Sequence, residues 1–244
     1  MSAVFRLALL NPNTDARHTE AMGAVARDTL PDGCEVTAVS PERGPTSIES
    51  EADSVVAAAA VAELVRELPA HDAYLIACFG DPGVGAAREL TEAPVVGIGE
   101  AAFQAAVTIA RRFAVITTLP RSIPEIEDAL DRHGMRSRCV AVEPLGIPVA
   151  DQGSHNPDTT AAIVAAGRRV VCGAGAEALV LACGGMADVA RAVTAEVGVP
   201  VCDGVAFGTM TAYGLWRSGL RTSKAGAYGW PEAIAYSGMQ GYRG

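Results

Sequence analysis

Basic residues are scarce in this 244-residue chain, which has 19 lysines and arginines against 28 acidic residues and a net charge of −9. No run of basic residues occurs, so the electrostatic footprint of a nucleic-acid binder is missing and we expect no nucleic-acid partner. The only lysine, Lys224, lies in a GLRTSK segment outside the predicted sheets. A pyridoxal-phosphate enzyme needs a Schiff-base lysine, so this class is disfavoured.

Motifs for metals, nucleotides and membranes are also lacking. The four histidines form no HExxH pattern and the six cysteines form no CxxC pair, so we expect no metal site. The segment GDPGVG fails the spacing of a phosphate-binding loop, and we expect no cofactor. The first apolar run is cut by Arg6 and ended by Asn11-Pro12, which predicts neither a signal peptide nor a membrane span. We therefore expect a cytoplasmic protein without a membrane partner, with mostly reduced cysteines.

Short apolar runs alternate with longer alanine-rich stretches along the chain, and half of all residues are hydrophobic. Eight runs are predicted to be buried strands: FRLALLN, CEVTAVS, AYLIAC, APVVGIG, RFAVITT, RCVAVEP, ALVLAC and VPVCDGV. Stretches such as DSVVAAAAVAELVREL and TTAAIVAAGRRVVCGAG predict helices between them. This alternation indicates an α/β fold in which helices cover parallel sheets.

The two halves of the chain contain matching sequence segments, separated by about 105 residues. These matches pair Arg6–Asn11 with Arg112–Thr117, Cys78 with Cys183, and Pro94 with Pro200. We interpret the repeat as a duplicated α/β unit that gives two pseudo-symmetric lobes. The first lobe is expected over residues 1–103, with a C-terminal segment, about 207–244, returning to it, and the second over 104–206.

Cys78 and Cys183 come at the ends of matching strands and precede glycine-rich turns, FGDPG and GGM. Ligands bind outside the carboxyl ends of parallel strands, so facing lobes would place the two thiols on opposite sides of one cleft. Inverting a carbon stereocentre that carries an acidic hydrogen requires a base on one face and an acid on the other. We expect free N–H groups in the turns to lower the pKa of both thiols and to hold an enolate oxygen.

The other four cysteines are interpreted as small hydrophobic residues. Cys34 and Cys139 also match through the duplication, but they come at the start of their strands and so belong at the opposite edge of each sheet. Cys172 and Cys202 have no matched position beside a glycine turn. The sequence therefore singles out only Cys78 and Cys183 as catalytic candidates.

Eight short segments in one order resemble the hydantoin and allantoin racemases of the aspartate/glutamate racemase superfamily, and the resemblance covers nearly the whole chain. The segments are LNPNT (10–14), GPTSIE (44–49), ACFGDPG (77–83), PVVGIGEAA (94–102), TTLP (117–120), LACGGM (181–186), DGV (203–205) and GLRTSK (219–224). The resemblance implies a cofactor-independent racemase with its active site between two α/β lobes. It also implies that Cys78 and Cys183 form the acid/base pair.

The residues after the two thiols depart from the amino-acid racemases of the superfamily. Those proteins have Cys-Asn-Thr and Cys-Thr-His, whereas Phe79-Gly80 and Gly184-Gly185 follow the thiols here. Groups that would bind an amino-acid carboxylate are therefore absent. The resemblance implies instead a cyclic ureide, allantoin or a 5-substituted hydantoin, whose C5 hydrogen is more acidic and whose ring needs amide-matching hydrogen bonds.

Further candidates for substrate binding follow strands or lie in loops. Asn13 follows the first strand, together with Asn11 and Thr14, and Thr117 and Thr118 end the matching strand, so their side chains should reach the same cleft. The Asn-Pro-Asn-Thr segment is equally suited to a turn and helix cap. Ser47 and Ile48 lie in the loop that resembles the family's ligand-covering segment, although this loop could also be simply solvated.

Two alternatives to a racemase remain open at this stage. One is a cysteine-dependent isomerase or decarboxylase of the same superfamily, which the presence of both thiols disfavours. The other is a non-catalytic small-molecule binder, or a redox protein with a disulfide between the two thiols, which requires Cα atoms about 4.4–6.8 Å apart. We also expect a homo-oligomer.

Overall fold

The structure, a computed structural model, describes residues 4–152, 156–232 and 234. In this part of the chain, eight strands alternate with eight α-helices. The strands are β1 (Arg6–Leu10), β2 (Glu35–Val39), β3 (Ala73–Ile76), β4 (Val95–Gly97), β5 (Phe113–Thr117), β6 (Cys139–Pro144), β7 (Ala178–Leu181) and β8 (Val201–Cys202). The helices are α1 (Ala16–Thr29), α2 (Glu51–Glu67), α3 (Val84–Leu90), α4 (Ile98–Ile109), α5 (Ile123–Arg132), α6 (Pro157–Ala174), α7 (Ala190–Val197) and α8 (Gly204–Arg217).

Each half of the chain forms one four-stranded parallel sheet. The strand orders are β2-β1-β3-β4 and β6-β5-β7-β8, so the second sheet repeats the topology of the first. The registers of the central pairs also correspond, since Leu7 pairs with Ala73 and Phe113 pairs with Ala178. The predicted α/β fold with two parallel sheets is confirmed, and all eight predicted strands are present.

The central strands of both sheets are buried. Every residue of β3, β5 and β7 is buried, as are the last four residues of β1. Strands covered by helices on both faces are continuously apolar, which is why these segments read as unbroken hydrophobic runs in the sequence. Their carboxyl ends therefore provide a rigid edge from which the following residues project.

Helices α4 and α8 connect the two sheets. Helix α4 begins directly after β4 but packs against β7 and β8 of the second sheet, while α8 follows β8 and packs against β1, β3 and β4 of the first. The two helices also pack against each other. Gly204 allows a close approach here, because a Cβ at this position would collide with the carbonyl oxygen of Ile98.

The lobe boundaries proposed near residues 103 and 206 fall within α4 and α8. Residues 1–3, 233 and 235–244, which the prediction assigned to the first lobe, lie outside the described residues. Within the described ranges, none of the helices has both the length and the hydropathy needed to cross a bilayer.

Candidate active site

A cavity of about 60 Å³ lies where the carboxyl ends of the two sheets meet. The residues that follow β1, β3, β5 and β7 supply most of its wall, because these four central strands all end at this edge. Its lining comprises Asn11, Asn13, His18, Met22, Ile48, Ala77, Cys78, Phe79, Gly80, Thr117, Thr118, Ser122, Glu125, Ile126, Ala129, Val149, Ala182, Cys183, Gly184 and Gly185. A cavity of this kind suits a small molecule held between mainly apolar surfaces and a few polar groups.

Ten of the eleven residues predicted from the sequence line this cavity. They are Asn13, Ile48, Cys78, Phe79, Gly80, Thr117, Thr118, Cys183, Gly184 and Gly185. Ser47 does not belong to the lining, and its hydroxyl donates a hydrogen bond to Glu49 Oε1 at 3.3 Å. The predicted loop therefore contributes Ile48 to the cavity, whereas Ser47 lies outside the lining.

The two cysteines occupy equivalent places in the two lobes. Each lies two residues beyond its strand, and the preceding alanine donates its N–H to the central strand: Ala77 to Leu10 O and Ala182 to Ile116 O, both at 2.8 Å. The turns after them are closed alike, by hydrogen bonds to the cysteine carbonyl oxygens at 3.0 Å in the first lobe and 3.1 Å in the second. Both are free thiols.

The expectation of a lowered thiol pKa is wrong. Burial, together with the weaker effect of the charges of Cys183, Glu125 and Asp81, raises the pKa of Cys78 to about 12. Burial likewise raises the pKa of Cys183 to about 11. The backbone N–H groups of Gly80 and Gly185 oppose these shifts, as the turn sequences suggested, but removing a thiolate from water outweighs one N–H group. Both thiols are neutral at neutral pH.

The turn after Cys78 is tied to the first turn of α4 by Asp81. Its carboxylate accepts hydrogen bonds from the N–H groups of Gly99 and Glu100, both at 2.8 Å. Asp81 has a left-handed φ of 51°, which aspartate tolerates better than most residues. Gly97 precedes α4, and a Cβ there would collide with the Asp81 carboxylate. The residue equivalent to Gly97 in the second half is Asp203, which caps α8 with its own side chain.

Polar side chains that line the cavity with the thiols differ in whether their hydrogen bonds are satisfied within the protein. Asn11 donates hydrogen bonds to Asn13 Oδ1 at 2.8 Å and Thr19 Oγ1 at 2.9 Å, so its amide organises the β1–α1 turn. Thr117 Oγ1 is buried and has no hydrogen-bond partner in the described structure. An unpaired buried hydroxyl facing a cavity favours a ligand that supplies the missing hydrogen bond.

Sequence reasoning missed His18 and Glu125. His18 Nε2 lies 3.4 Å from the Gln152 carbonyl oxygen, and Nδ1 lies 3.6 Å from Asp15 Oδ2. Glu125 projects from the first turn of α5, where an acidic residue is ordinary because of the helix dipole, so no sequence signal separated it from a surface residue. Among the described residues, no group of three or more His, Cys, Asp and Glu side chains could hold a metal ion.

The fold and the cavity define a class of two-lobed α/β protein in which each lobe presents one thiol to a shared small-molecule site. The sequence model of the Asp/Glu/hydantoin racemase family matches residues 7–212. The chain therefore belongs to the Asp/Glu/hydantoin racemase family and is an isomerase of the racemase type.

Relatives named for a racemase activity match this chain almost end to end. The hydantoin racemase of Pseudomonas sp. (strain NS671) is 37% identical over 235 residues, covering 96% of this chain and 94% of the relative. The allantoin racemase from Klebsiella pneumoniae superposes with a TM-score of 0.92 at 39% identity, covering 96% of each chain. The allantoin racemase from Pseudomonas fluorescens gives a TM-score of 0.91 at 35% identity, covering 96% of this chain and 100% of that one.

Proposed function

We propose that this racemase inverts the C5 stereocentre of allantoin or a related 5-substituted hydantoin, using Cys78 and Cys183 as a two-sided acid/base pair. The observation that carries the proposal is the equivalent placement of the two thiols, one from each lobe, on a single cavity. The activities for which the relatives are named, hydantoin and allantoin racemase, support the substrate class. Gly80 and Gly185, two positions after the thiols, have no side chains that could bind an amino-acid carboxylate.

The proposed reaction needs one thiolate and one thiol. The thiolate removes the C5 proton from its face and becomes a thiol, and the electron pair left on C5 delocalises onto the neighbouring ring carbonyl oxygen. The second thiol then donates its proton to the opposite face of C5 and becomes a thiolate. Inversion thus moves one proton between the cysteines, and exchange with water restores the starting state.

Backbone N–H groups on both sides can support the charged intermediates. The N–H of Gly80 stabilises a Cys78 thiolate, and the N–H of Gly185 stabilises a Cys183 thiolate. Since either cysteine must carry the negative charge in one direction of the reaction, this matched pair of donors fits a reversible racemisation. Thr117 Oγ1 is available for a ring amide or carbonyl.

The test of this proposal is substitution of each thiol. Cys78→Ser and Cys183→Ser are each expected to lower kcat for racemisation of enantiopure allantoin by about 10²- to 10⁴-fold, because a serine hydroxyl is too weak an acid to replace the thiol. Polarimetry measures the loss of optical rotation, and the rate of spontaneous racemisation is subtracted. Cys172→Ser, which changes an exposed thiol, is the matched control and should retain wild-type kcat. Near wild-type racemisation by either active-site variant would contradict the two-cysteine assignment.

A further inference from the structure

Glu125 is a carboxylate of the active site that the two-cysteine reaction does not use. It projects from α5 into the cavity and lies against the turn that follows Cys78. The contact is close, because a Cβ at Gly80 would collide with Glu125 Oε1. Near the carboxylate the lining includes the apolar side chains of Ile126 and Ala129, from the same helix.

The Glu125 carboxylate has no hydrogen bond or ion pair with any residue that the structure describes. Burial removes much of its hydration, and this desolvation is the main reason why its pKa is raised. The charge of Glu51 also raises this pKa, and Arg132 opposes the shift only through its charge, without a hydrogen bond. A partly buried carboxylate without a partner is unfavourable unless a ligand provides donors.

The position of Glu125 places it within reach of a substituent on C5 of the substrate. In the proposed reaction C5 lies between the two thiols, and Glu125 contacts the residue two positions after Cys78. An ionised carboxylate only accepts hydrogen bonds and can bind two parallel N–H groups at once. A ureido substituent, –NH–CO–NH₂, offers such a pair, whereas an alkyl or aryl substituent offers none.

We propose that Glu125 is a specificity-determining residue that selects cyclic ureides whose C5 substituent carries N–H donors, as the ureido group of allantoin does, over 5-alkylhydantoins. The inference rests on the proposed function and narrows its substrate class. An alkyl substituent would displace water from the carboxylate without replacing its hydrogen bonds. The carboxylate therefore favours the ureido group by accepting its hydrogen bonds and disfavours the alkyl group because its own hydration is lost.

The experiment compares allantoin with 5-isobutylhydantoin, whose substituent has the same number of non-hydrogen atoms as the ureido group but no N–H. The wild-type enzyme is expected to show a kcat/KM for allantoin at least about tenfold higher. Glu125→Gln should lower kcat/KM for allantoin by about 10- to 100-fold and raise that for 5-isobutylhydantoin, because the unpaired charge is gone. Asp128→Asn removes an exposed charge from the same helix and should leave the ratio of the two values unchanged.

Different outcomes separate the two proposals. If the wild-type enzyme racemises neither compound, the proposed function fails. Two results would show that the carboxylate does not discriminate between C5 substituents: the wild-type enzyme racemises both compounds without preferring allantoin, or Glu125→Gln lowers both kcat/KM values equally. Either result overturns only this inference. An absent wild-type preference overturns the inference even if Glu125→Gln does not fold, which circular dichroism would show.

Discussion

At the residue scale, Cys78 and Cys183 combine deep burial with one backbone N–H donor each, from Gly80 and Gly185. Burial alone would leave two inert hydrophobic thiols. The N–H donors stabilise the thiolate that the proposed reaction requires, and the shared cavity allows a substrate to lie against both sulfur atoms. The same features determine how the rate should depend on pH and on each thiol separately.

We expect the rate to rise with pH throughout the neutral and mildly alkaline range. The pKa values of the free enzyme are about 12 for Cys78 and about 11 for Cys183, both raised by burial, so both thiols are protonated below these values. The active form needs one thiolate, and its population grows about tenfold per pH unit until the lower pKa is approached. Measured kcat/KM should therefore increase without a plateau between about pH 6.5 and 8.5.

Spontaneous racemisation must be subtracted at each pH, since it also accelerates in alkali. A plateau of kcat/KM near pH 8 would show that the catalytic thiolate forms far more easily than its burial indicates. Another group would then have to supply the stabilisation.

Isotope exchange should assign one enantiomer to each thiol. In deuterium oxide, Cys78→Ser and Cys183→Ser should each exchange the C5 hydrogen of one enantiomer without inverting it, because the remaining thiol still reaches one face. The two variants are expected to act on opposite enantiomers, which proton NMR of recovered enantiopure allantoin measures. Exchange of the same enantiomer by both variants would place the thiols on one face and favour a single-cysteine reaction.

At the scale of elements, the two lobes cap corresponding helices in different ways. Asp203 is the N-cap residue of α8 and caps this helix with its own side chain. The N-cap residue of α4 is Gly97, and the capping carboxylate comes from Asp81 in the turn after Cys78. The first lobe therefore couples the turn after Cys78 to a helix that packs on the second sheet. In the proposed reaction this link makes Asp81 a positioning residue for Cys78.

Asp203→Ala is expected to destabilise the protein by about 1 kcal/mol, since it removes a helix cap. Asp81→Ala removes a cap too and places alanine at a left-handed φ, so it should destabilise by about 2 kcal/mol. Only Asp81→Ala should also lower kcat, because only this carboxylate holds a turn that carries one of the two proposed catalytic thiols. Urea unfolding and steady-state kinetics measure the two effects.

The double variant Asp81→Ala/Gly97→Asp provides a sharper control, because it moves the cap to the position used in α8. It should recover stability while kcat stays low. Full recovery of kcat would mean that Asp81 acts only through the stability of α4.

At the scale of the whole molecule, the contact between α4 and α8 joins the lobes at the backbone level. Gly204→Ala is expected to destabilise the protein by about 1–3 kcal/mol, because the new Cβ meets the carbonyl oxygen of Ile98 and a backbone atom cannot simply rotate away. Gly214→Ala on the same helix has no atom within 4 Å of the new Cβ and should stabilise by about 0.5–1 kcal/mol. Urea unfolding compares the two, and equal effects would show that the contact at Gly204 is unimportant.

The sequence alone determined the strands, the parallel sheets and the duplication. The runs around Leu7, Leu75, Val115 and Val180 are continuously apolar because both faces of each strand are buried. Local composition is therefore enough to predict these strands. Equivalent spacing of Cys78 and Cys183 fixed their equivalent places, since two copies of one topology end their strands alike. Nine of the ten predicted residues that line the cavity end or follow central strands, and they line it for the same reason, whereas Ile48 comes from a loop.

Only the tertiary structure decided the protonation of the thiols and the presence of Glu125 in the cavity. A pKa depends on the water that surrounding elements exclude, which the turn sequences after Cys78 and Cys183 do not record. Glu125 looks like an ordinary acidic residue in the first turn of a helix, and it reaches the site because α5 packs beside the Gly80 turn. Local sequence reports strand and helix formation, whereas burial and proximity between distant segments arise only when the lobes assemble.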